Sequence, residues 1–217
     1  MKRMHLFARR LMTDGSKFDN SSSCPVSADT QTCLMDSETI NPLNHMHHPE
    51  TLQKPSAAQA VPLATARETS SIPTTTEGKW IYPSEQMFFN AMKKKNHNPS
   101  ERDMKVIVPI HNAVNEQGWR KILEWEEHVP SGCEIKLEKF KGRAKDYTIK
   151  ARWRQLIGYK LPFDRHDWVI DRCGEKVTYI IDFYSGPNSS FFLDVRPYPT
   201  FSGLLLTARR YWSDFFK

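Results

Sequence analysis

The 217-residue chain is long enough for one ordinary domain plus a tail, and it carries 31 Lys/Arg against 25 Asp/Glu for a formal charge of +6. No apolar run is long enough to span a bilayer, which excludes an integral helical membrane protein. The four cysteines, at positions 24, 33, 133 and 173, form no Cys-x-x-Cys pair, which excludes a zinc ribbon and a thioredoxin-like site.

Charge and aromatic content divide the chain. Residues 1–70 hold seven Lys/Arg and seven Asp/Glu, and of the 25 aromatic residues only Phe7 and Phe18 precede position 80. With so little apolar surface to offset the entropy of ordering, 1–70 reads as a disordered tail and 71–217 as the folded domain. Lys2, Arg3, Arg9 and Arg10 interleave with Met4, Leu6, Phe7 and Leu11, the pattern of a mitochondrial presequence and equally of a frayed basic end.

Ser84 can cap a helix running to about Lys95, with Met87, Phe88, Ala91 and Met92 spaced for a buried face. Ser100 and Asp103 resemble a capping box for a second helix. Pro109 either breaks or kinks that helix or restarts one at its first position, running to about Glu127. Thr148 to Ile157 reads as a short helix closed by Gly158. Beyond Pro162 the period changes to two. Trp168–Arg172, Lys176–Tyr184 and Phe191–Arg196 read as antiparallel strands, with a turn at Gly186-Pro187-Asn188. Phe201 to Phe216 reads as a closing amphipathic helix. The expected class is α+β: helices followed by a small antiparallel sheet and a C-terminal helix, behind a disordered N-terminal tail.

Three strings stand out. Lys79 to Met92 reads Lys-Trp-Ile-Tyr-Pro-Ser-Glu-Gln-Met-Phe-Phe-Asn-Ala-Met. Ile110 to Trp119 reads Ile-His-Asn-Ala-Val-Asn-Glu-Gln-Gly-Trp, and Leu161 to Trp168 reads Leu-Pro-Phe-Asp-Arg-His-Asp-Trp. In this order and spacing they closely resemble the mitochondrial cytochrome c-type heme lyases, or holocytochrome c synthases, from about Ser70 to Arg196.

In a helix beginning near Pro109, His111 shares a face with Asn115, Gly118, Ile122 and Trp125, flat and relieved by a glycine, which suits a planar ligand. On spacing alone a satisfied core or surface histidine is the commoner use of such a residue. The resemblance implies that His111 is the axial ligand of heme iron, with Glu116, some 140° around the helix, supporting function from outside the iron's coordination sphere. Trp80 and Tyr82 alternate on one side of an extended segment and can sandwich a porphyrin edge, or anchor the helix that follows. Met92 packs on the macrocycle or fills core. Arg165 offers a planar fork for a heme propionate, or pairs with Asp164 and Asp167. His166 matches a second family histidine. Cys24-Pro25 resembles a heme-regulatory motif, in which a thiolate binds iron.

The activity implied by the resemblance is covalent attachment of heme to apocytochrome c or c1, each thiol of a Cys-x-x-Cys-His segment adding across a vinyl group. Heme b is then the substrate, with ferrous iron, and the enzyme works by orientation. The alternative is a non-catalytic heme chaperone or sensor using Cys24 and His111. The implied location is the mitochondrial intermembrane space, peripheral on the inner membrane. The basic balance fits anionic lipid, and no nucleic-acid motif accompanies it.

Overall fold

Period-two alternation from Asp164 onward builds the centre of the fold. The computed structural model describes residues 53–216 apart from 57, 58, 77, 130, 131, 188 and 189, together with two short paired strands, β1 (Ile40–Asn41) and β2 (Met46–His47). Cys24 and the basic N-terminus lie outside the described residues. Strands β5 (Ile135–Gly142), β6 (Asp164–Arg172), β7 (Glu175–Ser185) and β8 (Phe191–Pro197) form one antiparallel sheet in sequence order. The class is α+β, as expected.

The sheet has two unlike faces because its strands alternate. Trp168 and Ile170 of β6, Tyr179, Ile181 and Phe183 of β7, and Leu193 and Val195 of β8 form an apolar face. Helix α2 (Met104–Glu126) packs on it through Trp119, Ile122 and Trp125. The other face carries Arg165, Asp167, Asp182, Asp194 and Arg196, and on it lies α3 (Ile149–Leu156), capped by Thr148. Helix α4 (Phe201–Phe215), capped by Thr200, closes the apolar side with Gly203 and Leu206 turned inward. A Cβ on Gly203 would collide with the Tyr198 carbonyl.

Pro109 does not break α2. The helix runs through it for 23 residues, after a 3-10 turn at Glu101–Asp103 in which the Ser100 side chain makes no capping bond. Pro109 removes one hydrogen bond close to the helix start. Buried Met104, Val108 and Asn112 hold both sides of it in place, so packing decides against local preference. Helix α1 (Glu85–Lys94) starts where expected, with Ser84 Oγ accepting from the Met87 amide at 3.2 Å.

Three features went unread. Strand β5 loses its alternation at a register shift between Leu137 and Lys139, which places both Leu137 and Phe140 on the α2 side. The hairpin of β3 (Thr69–Pro73) and β4 (Lys79–Ile81) is too polar to announce itself, and Thr74 bridges it to Leu137. Cys133 and Cys173 form a disulfide that joins the approach to β5 to the β6–β7 turn.

The expected boundary near residue 70 falls inside packed structure. Leu63 joins Phe89, Met92 and Met104 in a second core cluster, and Ser70 is buried. The Ala60 and Val61 amides donate to the Glu101 carboxylate at 2.9 and 2.7 Å. Leu63→Ala is therefore expected to cost about 2–5 kcal/mol. Deleting residues 1–70 is expected to lower the melting temperature well below that of a chain lacking only 1–52, a difference that thermal unfolding by circular dichroism reads directly.

Candidate active site

The stripe His111, Asn115, Gly118, Ile122, Trp125 runs down the sheet side of α2. Gly118, Ile122 and Trp125 are buried in the core, while His111 and Asn115 extend the stripe beyond it. Gly118 does not open a face for a planar ligand: it packs on β7, where an added Cβ would lie an ordinary 3.5 Å from Ile181.

At this end of the helix His111 meets groups from three elements. Its ring lies edge-on to Phe88 of α1, with centroids 5.2 Å apart. Burial first, then proximity to His166 and Lys95 against the opposing pull of Asp164, lowers its pKa to about 4. His111 is thus a neutral imidazole at physiological pH, with a lone pair to offer. The Asn115 amide nitrogen sits 3.2 Å from Nδ1. Amide nitrogen and oxygen exchange by a half-turn, and with the oxygen inward Asn115 accepts from Nδ1–H and frees Nε2 for a metal.

His166 belongs to the same region. It shares the apolar sheet face with Trp168, stands between Phe140 (6.4 Å, stacked) and Phe183 (5.0 Å, edge-on), and pairs across the strands with Gly142. Nε2 lies 3.2 Å from Asp164, while Nδ1 is buried without a hydrogen-bond partner. Trp80 meets Phe140 edge-on at 5.1 Å, and Phe163 meets Phe183 at 6.3 Å. An aromatic row, Trp80–Phe140–His166–Phe183–Phe163, therefore crosses the sheet beside His111. Phe140 and Phe183 escaped the sequence reading as site residues. Phe140 sits on the bulged strand, and Phe183 falls inside the strand expected from Lys176 to Tyr184 with nothing local to single it out.

Arg165 cannot join them. Adjacent strand residues face opposite ways, so Arg165 lies on the far side of the sheet from His166. Its fork is filled: Nε donates to Asp167 at 2.9 Å, Nη2 to the same carboxylate at 3.2 Å, and Nη1 to the Asp146 carbonyl at 3.1 Å. The internal pairing left open by the sequence is the arrangement adopted, and the propionate role is not supported. Met92 likewise fills core, in the cluster with Leu63.

Tyr82 is also committed. It is 2% exposed, and its hydroxyl donates to Glu116 Oε1 at 3.0 Å, so it does not reach toward a ligand. Glu116 collects this bond together with those from the Ser70 hydroxyl (2.5 Å), the Ser71 hydroxyl and the Ser71 amide (3.1 Å). Burial alone would raise the Glu116 pKa, but these donors outweigh it and hold the carboxyl below its usual value. Glu116 thus fastens β3 and Tyr82 to α2 little more than one turn beyond His111.

Comparisons with known proteins place the chain in a family. The family model for cytochrome c/c1 heme lyase matches residues 5–203. A putative holocytochrome-c1 synthase of Schizosaccharomyces pombe is 50% identical over 181 residues, 76% of this chain and 84% of that protein. A probable holocytochrome-c-type synthase of Caenorhabditis elegans is 47% identical over 207 residues, 87% of this chain and 70% of its own length. A putative holocytochrome-c synthase of Schizosaccharomyces pombe is 38% identical over 154 residues, 64% of this chain and 41% of that protein. No solved structure matches the chain. The chain belongs to the cytochrome c/c1 heme lyase family.

Proposed function

We propose that this heme lyase binds heme b through His111 and attaches it to the Cys-x-x-Cys-His segment of an apocytochrome. The observation that carries this reading is a neutral histidine set beside an aromatic row, two turns into a helix that is packed on either side of it. In the reaction each cysteine S–H adds across a vinyl group: sulfur bonds to one vinyl carbon, hydrogen to the other, and no electrons are gained or lost overall. His111 holds the iron from one side and the substrate histidine takes the other, which brings both thiols beside the vinyls. The ferrous state fits this scheme, since reduced iron has less charge to attract competing anions. Trp80 and His166 border the porphyrin, and Glu116 and Asn115 orient what surrounds His111.

Between the two apocytochromes, c1 is favoured. The chain is 50% identical to the Schizosaccharomyces pombe protein named for c1 and 38% identical to that organism's protein named for c. A chaperone or sensor without catalysis has no comparable support, because these relatives are named as synthases. The proposed location is the mitochondrial intermembrane space, peripheral on the inner membrane. No described helix is long and apolar enough to cross a membrane.

Co-expression with apocytochrome variants tests the scheme. A substrate lacking the histidine of Cys-x-x-Cys-His is expected to receive no covalent heme although both cysteines remain. Loss of one cysteine is expected to leave a single thioether. Equal heme staining with and without the substrate histidine would contradict the positioning role of iron.

The lowered pKa of His111 makes a second expectation. Protons and iron compete for one lone pair, so a histidine that resists protonation keeps its metal at lower pH. Heme ligation is expected to hold from neutral pH to about 5 and to fall only toward pH 4, whereas an ordinary histidine would weaken from about 6.5. The Soret band of the heme-loaded protein, followed through an acid titration, reports this.

A further inference from the structure

Helix α3 is built inside out. Its sheet side is polar or small: Ala151 is buried, Lys150 reaches Asp194 at 2.8 Å, Arg154 reaches the same carboxylate at 3.7 Å, and Thr148 donates to Asp182 at 3.2 Å. Arg196, between Asp182 (2.6 Å) and Asp194 (2.9 Å), completes this polar seam. The apolar side faces outward. Ile149 is 82% exposed, Trp153 66% and Leu156 82%, at i, i+4 and i+7, and the stripe continues with Ile157 and Tyr159, also exposed. A surface helix ordinarily turns such a stripe to the core.

Charge says what covers it. No Asp or Glu occurs between Asp146 and Asp164, while Lys150, Arg152, Arg154 and Lys160 do. Among the described residues Arg152 and Lys160 have no ion-pair partner, so they flank the stripe with uncommitted positive charge. Trp and Tyr on an apolar stripe, bordered by Arg and Lys, match the boundary between acyl chains and anionic headgroups. Eight residues give α3 a length of about 12 Å, two turns, too short a seam for a helical partner held by repeating heptads. A lipid surface needs no such complementary register.

We propose that α3 and the following residues to Lys160 form the membrane-docking face of this protein, with Ile149, Trp153, Leu156, Ile157 and Tyr159 entering the headgroup boundary and Arg152 and Lys160 meeting lipid phosphates. This goes beyond the peripheral association proposed above by naming the surface and the lipid class, and it is independent of the heme chemistry. It also fixes an orientation. Because α3 and α2 lie on opposite faces of the sheet, docking through α3 leaves the His111 region on the aqueous side, where a peptide substrate arrives.

Sedimentation of the full chain with phosphatidylcholine vesicles, with and without phosphatidylglycerol, tests this. The protein is expected to bind the anionic vesicles and to be released by salt. Trp153→Ser combined with Leu156→Ser is expected to lower the partition coefficient at least about tenfold. Arg152→Glu with Lys160→Glu is expected to remove the preference for phosphatidylglycerol. All four positions are exposed, so circular dichroism is expected to be unchanged, and heme uptake is expected to match wild type whether or not the lyase reading is correct in its details. Unchanged lipid binding in the Trp153/Leu156 variant overturns the proposal. So does loss of lipid binding in Trp212→Ser instead, which would place docking on α4, whose Trp212 is also exposed. A shift from dimer to monomer in the Trp153/Leu156 variant, with lipid binding intact, overturns it in favour of a second copy of this chain.

Discussion

Arg172→Ala is expected to be among the most destabilising single substitutions in the domain, although it lies at the opposite end of β6 from His166. The Arg172 guanidinium meets the Glu126 carboxylate with two bonds of 2.6 Å, and the Tyr179 hydroxyl donates to the same carboxylate at 2.5 Å. Glu126 closes α2, so these bonds fasten the end of that helix to β6 and β7. Its side chain is 2% exposed. Removing Arg172 leaves a buried carboxylate with its compensating charge gone, a change that costs about 3–5 kcal/mol. Against a total stability of roughly 5–15 kcal/mol this is a large share. A fall in melting temperature on the order of 10 °C is expected. Tyr179→Phe removes one donor and keeps the ion pair, so a smaller loss of about 1–3 kcal/mol is expected. Urea unfolding of the two variants distinguishes them, and equal losses would show that the ion pair contributes nothing beyond the hydroxyl.

Much of the fold was legible because local signals and packing agree. Ser84 and Thr148 cap the helices they were expected to cap, Gly158 follows α3 at a φ of +92°, and β6 to β8 follow the period-two pattern. The unread parts are those where one local rule yields to another. The bulge in β5 reverses the parity between Leu137 and Phe140, so no single period describes the strand. Pro109 signals a helix boundary, and buried neighbours on both sides override it. Residues 53–70 lack aromatics, yet Leu63 and Ser70 are buried because the second cluster and Glu116 receive them.

Of the candidate site, His111 was marked by the resemblance, and the structure places it on the helix stripe that spacing alone had drawn. Reading β6 as starting at Trp168 rather than Asp164 hid the alternation that sends Arg165 to one face and His166 to the other. Tyr82 and Glu116 were considered separately. Their hydrogen bond is a contact across 34 positions of sequence, which no local pattern reveals. Asn115 was seen as a neighbour on the helix face, but its bond to the His111 ring depends on side-chain placement.

The central claim is that His111 supplies the iron ligand on which heme attachment depends. Purifying His111→Ala and wild type after co-expression with apocytochrome, and measuring both bound heme and covalently attached heme in each, tests it most directly. Removing a ring that packs on Phe88 between two core clusters is expected to cost some stability, so thermal unfolding of both proteins establishes that the variant compared is folded. Bound heme is expected to fall to background and covalent cytochrome to disappear, while His166→Ala is expected to retain most of both. A folded His111→Ala protein that carries a normal Soret band and still yields covalent cytochrome would contradict the account.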